Sequence, residues 1–139
     1  MSVFDKAKAQ LIDHEGFKKF PYRCSEGFLS IGIGRNLHSK GLSNSEVSFL
    51  FQNDFDEVFE DLVRIFGPAF HSFSQERKIA LIDMRFNLGA GGFRSFKRMI
   101  SAIWAGNWPK AAKEALDSKW ATQVQQTRVS KIISQLEGG

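Results

Sequence analysis

The chain has 139 residues, of which 42% are apolar and 24% charged, and its 19 Lys and Arg against 15 Asp and Glu leave a net charge of +4. That length makes one domain, or one domain with two lobes, with enough chain to bury a core. The single Cys excludes an internal disulfide, and no apolar run approaches the roughly 18 residues of a membrane span, so a disulfide scaffold and stable membrane insertion are both excluded. A modest positive charge suits an anionic partner, whether nucleic acid, a membrane surface or an acidic wall polymer, without choosing among them. Phe is the compositional outlier, with 14 copies against one Tyr, so the core is expected to be aromatic.

Phe4, Ala7 and Leu11 recur at spacings of three and four, which predicts an amphipathic helix from about residue 2 to 14. Asp5, Lys6, Lys8, Gln10 and Asp13 interrupt its apolar residues, so it lacks the unbroken core of a signal peptide. The product is accordingly expected to be made and kept in the cytoplasm until something else releases it. Glu15 falls four after Leu11 on the same stripe, with Gly16 as a natural C-cap. Its carboxylate is expected to aim toward the apolar side of the helix.

Residues 20–23 read as a short strand confined to an edge by Pro21. Ser25-Glu26-Gly27 supplies a turn, and residues 28–34 the return strand. Alternation puts Leu29, Ile31 and Ile33 on a core face and Phe28, Ser30, Gly32 and Gly34 on a face stripped of bulk. Glycines there suggest that a ligand or another backbone comes close, or simply that the strand bends. Residues 36–42 read as a loop.

Ser43-Asn44-Ser45-Glu46 is a capping box, and Val47, Leu50, Phe51, Phe55, Val58, Leu62 and Ile65 keep helical spacing until Gly67-Pro68. Asp54, Asp56, Glu57, Glu60 and Asp61 are read as its solvated face. Ser74 opens a further helix leading to the Gly-rich corner at residues 87–92. A short helix over 93–105 follows, with Phe96, Met99, Ile100 and Ile103 inward. Trp108-Pro109 starts a small-faced helix, Trp120 sits in a connecting segment, and a basic helix covers about 126–136. The prediction is an α+β chain, mostly helical. A small N-terminal β-hairpin lobe (about 15–42) is joined by a long helix (about 43–66) to a helical lobe (about 67–139, plus the N-terminal helix), with a cleft between.

Three His without ligand spacing and one Cys argue against a metal, and no cofactor motif is present. The basic residues near Trp104, Trp108 and Trp120 are at helical spacing and read as a solvated face with a core aromatic set, not a nucleic-acid surface. A lone Cys is most often inert. Here it has company: eight residues separate Glu15 from Cys24, and five separate Cys24 from Ser30. The three come from a helix end and two facing strands, so they can converge. Glycoside cleavage needs an acid to protonate the leaving oxygen and a second group that activates water or attacks the sugar. Glu15 fits the first role, and a Cys24 thiolate is both base and nucleophile.

Glu15-Gly16, Tyr22, Glu26-Gly27 and Ser30-Ile31-Gly32-Ile33-Gly34 resemble the active-site stretch of the phage-type lysozymes. Weaker matches run through residues 80–89, Trp108 to Leu116, and Trp120 to Arg128. The resemblance implies a lysozyme-like fold and a muramidase that hydrolyses the β-1,4 bond between N-acetylmuramic acid and N-acetylglucosamine in peptidoglycan. It implies Glu15 as general acid, Cys24 where T-even members have Asp, and Ser30 where they have Thr, with the hydroxyl kept to hold a water. Family members with Cys at the middle position exist. Phe86, and with it Asn36 and Arg35, fall at or near positions that contact saccharide, although Arg35 replaces the usual His. The expected role is a single-domain endolysin, acting as a monomer and reaching the wall of a Gram-negative host through a holin-type pore. A tail-associated lysozyme acting at infection and a binding protein that lost catalysis with its Asp are the alternatives. Neither nucleic acid nor any cofactor is expected.

Overall fold

The computed structural model describes residues 1–138; Gly139, the last residue of the expected helical lobe, lies outside them. The α+β expectation holds: the chain is 70% helical with one three-stranded antiparallel sheet. It divides into two compact units, Met1–Leu50 and Phe51–Gly139.

The first unit holds helix α1 (Val3–Glu15), strands β1 (Lys18–Arg23), β2 (Leu29–Gly32) and β3 (Arg35–Asn36), and the start of helix α2 (Asn44–Phe66). Ser2 caps α1 by accepting the Asp5 N–H at 3.1 Å. The sheet order is β1-β2-β3, so β1 is an edge strand, as Pro21 requires. The β1–β2 register shifts between Lys18 and Tyr22, a bulge that contains Pro21 and its missing N–H. Tyr22 then pairs with Ser30, and Ser30 with Asn36 on its other side.

Two expectations fail here. The return strand stops at Gly32, and Arg35 with Asn36, the first residue of the expected loop, forms β3, because Gly32 and Gly34 both take φ of 70° and reverse the chain. The faces are also reassigned. Ser30 is the one buried residue among the described residues of this unit, whereas Leu29 is exposed. Ser30 lies in the middle strand with a partner on each side, which shields it from water.

The capping box opens α2 as read: Ser43 Oγ accepts the Glu46 N–H at 3.2 Å, and Glu46 accepts the Ser43 N–H at 2.8 Å. The helix ends where Gly67 takes φ of 67° and Pro68 follows in a 3-10 turn over Gly67–Ser72.

The second unit carries the rest of α2, then α3 (Gln75–Arg94), α4 (Lys97–Trp104), α5 (Trp108–Leu116), α6 (Lys119–Gln123) and α7 (Gln126–Gly138). Its core is the aromatic cluster that the Phe count implies. Phe66, Phe70 and Phe93 are fully buried, and edge-on pairs such as Phe66 with Phe73 (5.7 Å) and Phe73 with Trp108 (4.9 Å) extend it. Each such pair adds about 0.5–1.5 kcal/mol beyond the area it buries. Ala111, Ala112 and Ala115 give α5 a flat, fully buried face. Gly89, at φ 75° and ψ 174°, breaks α3 at the expected Gly-rich corner. Trp120 is buried on α6, not in a connector, and donates its indole N–H to Asn87 at 2.7 Å. Trp104 is exposed and so leaves the core set.

Asp61 departs most from its reading as a solvated acid. It is 4% exposed. Arg85 Nε donates to it at 2.7 Å and Arg94 Nη1 at 2.9 Å, the two arginines standing on either side of the Gly89 kink. The Arg94 guanidinium first, and Arg85 with it, hold its carboxyl down to about 2. A buried carboxylate survives only with such partners.

Candidate active site

Glu15 ends α1 because Gly16, at φ 87°, turns the chain while its N–H bonds the Ile12 carbonyl at 2.8 Å. The apolar setting expected for its side chain is not what the structure shows. Glu15 is exposed, and α1 buries none of its residues; helical spacing sets an apolar face but does not supply a cover for it. What Glu15 does touch is Gly34. A Cβ there would lie 3.0 Å from Glu15 Cγ and Oε2 and 3.1 Å from Cδ. The bulk missing from this turn therefore has two causes: a left-handed backbone, and a carboxylate lying on the glycine.

Cys24 follows β1 directly and opens the turn to β2. Its N–H bonds the Phe28 carbonyl at 2.9 Å, and its carbonyl accepts the Gly27 N–H at 2.8 Å. Since Tyr22 pairs with Ser30, the alternation of an antiparallel pair puts Cys24 and Ser30 on one face as diagonal neighbours. The Ser30 hydroxyl donates to the Phe28 carbonyl at 3.4 Å. The thiol is half-buried and its pKa is lowered. The main cause is the Glu26 backbone N–H, followed by that of Phe28, with the Ser30 hydroxyl adding to them against burial and the Glu26 carboxylate. Hydrogen bonds donated to sulfur favour its anion. Arg23, adjacent in sequence, instead donates to the Gly27 carbonyl at 3.0 Å. The arrangement offers a thiol biased toward thiolate, a hydroxyl beside it, and a carboxyl on the next turn of the same sheet.

The Arg35 guanidinium is engaged within the protein. It meets Glu46 end-on, Nη1 to Oε1 at 2.8 Å and Nη2 to Oε2 at 2.7 Å, and also donates to the Gly41 carbonyl at 3.0 Å. Arg35, with the Ser43 groups, pulls the Glu46 carboxyl down to about 2. Asn36 accepts the Ser39 N–H at 3.0 Å. Phe86 belongs to the second unit, where it is 38% exposed and stacks on Phe51 at 5.9 Å. Glu46 was read from the sequence only as a cap; an Arg paired 11 residues away has no periodic signature. Among the described residues no three His, Cys, Asp or Glu side chains come together to hold a metal ion, and no helix is long and apolar enough to cross a membrane.

Comparison with known proteins bears on the whole chain. The family model for phage lysozyme matches residues 12–135. The chain is 32% identical over 111 residues to the pre-baseplate central spike protein Gp5 of Enterobacteria phage T4, an alignment covering 76% of this chain but 19% of the spike protein. It thus spans about a fifth of that relative. Two proteins of Dictyostelium discoideum, named probable T4-type lysozymes 1 and 2, are each 28% identical over 153 aligned positions, covering 90% of this chain and 89% of their own length. With a family match that runs through both units and includes Glu15, Cys24 and Ser30, the chain belongs to the phage lysozyme family and is by class a lysozyme-type glycoside hydrolase.

Proposed function

We propose that the chain is a muramidase that cleaves the β-1,4 bond between N-acetylmuramic acid and N-acetylglucosamine in peptidoglycan. Glu15 protonates the leaving oxygen, Cys24 as thiolate serves as base or nucleophile, and Ser30 holds the water. The observation that carries this reading is the pairing of a thiol, lowered in pKa by backbone N–H groups, with the Ser30 hydroxyl on one sheet face. An ordinary thiol is only a few per cent ionised at neutral pH, so a Cys in place of a carboxylate needs such help. Asn36 contacts the saccharide.

In the cell the protein acts as an endolysin. It waits in the host cytoplasm, passes a holin-type pore and degrades the wall as a monomer, with the net charge of +4 favouring an anionic surface. A second reading, a lysozyme used at infection, is favoured by the similarity to a central spike protein. Digestion of purified Gram-negative peptidoglycan tests the chemistry. New reducing ends at muramic acid, absent with Glu15→Gln, support it; binding without release of fragments would instead mark a wall-binding homologue. Recovery of the chain from purified virions would favour the infection role.

A further inference from the structure

We propose that Glu46 is a positioning residue for Glu15, acting through Arg35 and Gly34; this rests on the reading of Glu15 as the general acid. Glu15 is exposed, on a helix that buries nothing, so α1 gives its carboxylate little constraint. A Cβ added at Gly34 would lie 3.0 Å from Glu15 Cγ and Oε2, so Gly34 is a close neighbour of the carboxylate. Gly34 belongs to a turn between two left-handed glycines, and that turn is closed by β3, a strand of two residues. Only the pairs Ile31–Arg35 and Ser30–Asn36 and the Leu37 N–H to Leu29 carbonyl bond at 2.9 Å tie this return to β2. So short a ladder is marginal alone.

The clamp is Glu46. Two parallel bonds at 2.8 and 2.7 Å hold the Arg35 guanidinium, and Glu46 Oε1 also takes the Ser43 N–H at 2.8 Å, fixing the carboxylate to the first turn of α2. Paired forks of this kind fix orientation as well as distance. Arg35 is the residue after Gly34, so the clamp sets where the turn stands and hence where Glu15 rests. Glu46 touches neither the thiol nor Glu15.

The test compares Glu46→Gln with Ser43→Ala. The second variant removes the helix cap and its stability while leaving the Arg35 clamp, and so controls for a merely structural loss. Glu46→Gln is expected to lower kcat on peptidoglycan about tenfold with KM little changed, since misplacement by about 1 Å costs up to a hundredfold. Ser43→Ala is expected to keep kcat. Arg35→Lys, which retains charge but not the fork, falls between wild type and Glu46→Gln.

A second readout needs no turnover. The carbon-13 resonance of the Glu15 carboxyl, assigned with Glu15→Gln, shifts in Glu46→Gln and stays in Ser43→Ala. An unmoved resonance in folded Glu46→Gln, or an equal shift in both variants, overturns the proposal. If the wild type cleaves nothing, the muramidase reading fails while the resonance still decides whether Glu46 places Glu15.

Discussion

Gly34 and Gly32 form a matched pair for separating backbone strain from placement of the acid. Both have φ of 70°, so Ala at either must adopt a left-handed conformation, at a cost of about 1–2 kcal/mol. Their surroundings differ. Nothing lies within 4 Å of a Cβ added at Gly32, whereas one at Gly34 lies 3.0 Å from Glu15 Cγ and Oε2. Ordinary contact begins at 3.4 Å, so Glu15 must retreat by about 0.4 Å. An exposed side chain swings away at little cost in stability, but the swing moves Glu15 from the position proposed for the general acid. Gly34→Ala and Gly32→Ala should therefore melt within about 1 kcal/mol of each other, while Gly34→Ala loses about tenfold or more in kcat and Gly32→Ala about twofold or less. Tenfold corresponds to about 1.4 kcal/mol of barrier. Thermal melts and reducing-end release measured on both variants decide the matter. Equal activity losses would refute the contact between Glu15 and Gly34 as the reason for glycine.

Other outcomes follow from the same geometry. Alkylation of Cys24 by iodoacetamide, followed against pH, should show a midpoint below the ordinary thiol value of about 8.5, because the backbone N–H groups of Glu26 and Phe28 stabilise the thiolate; a midpoint at or above that value contradicts it. Asp61→Asn strands the buried Arg85 and should cost about 3–5 kcal/mol in urea melts. Asp61 titrates at about 2 when folded against an ordinary 3.8. The folded state thus resists protonation, so this contribution is full above about pH 4, lost as pH falls toward 2, and worth about 2–3 kcal/mol. Wild type should lose that much more stability than Asp61→Asn across the interval, and parallel curves would count against the network.

What the sequence revealed depended on whether a feature was local. The capping box at Ser43 and Glu46 and the stop at Gly67-Pro68 are decided within a few residues, and α2 runs between them. The elements that carry Glu15, Cys24 and Ser30, a helix end and one hairpin, were legible for the same reason. Features set by distant partners were not legible. Asp61 sits among acids on a polar-looking stripe, and the arginines that bond it at 2.7 and 2.9 Å stand 24 and 33 positions away. Strand β3 has two residues and no alternation to read; it exists because Gly32 and Gly34 reverse the chain. The stripped face of β2 invited a ligand, yet the neighbour at Gly34 is the acid itself. The exposure of α1 shows the converse error, an apolar stripe taken as proof of burial.

The central claim is that the second catalytic group is a thiol working as thiolate beside Ser30. The rate of reducing-end release from purified peptidoglycan, measured for wild type, Cys24→Ala and Cys24→Asp across pH 5 to 9, tests it most directly. The account predicts that Cys24→Ala loses at least about a hundredfold, as removal of a catalytic base or nucleophile does. Cys24→Asp should stay active and keep its rate to lower pH than wild type, since a carboxylate ordinarily ionises at about 3.9 and a thiol at about 8.5. Loss of no more than a few-fold in Cys24→Ala would contradict the claim and leave Glu15, with a water on Ser30, to do the work.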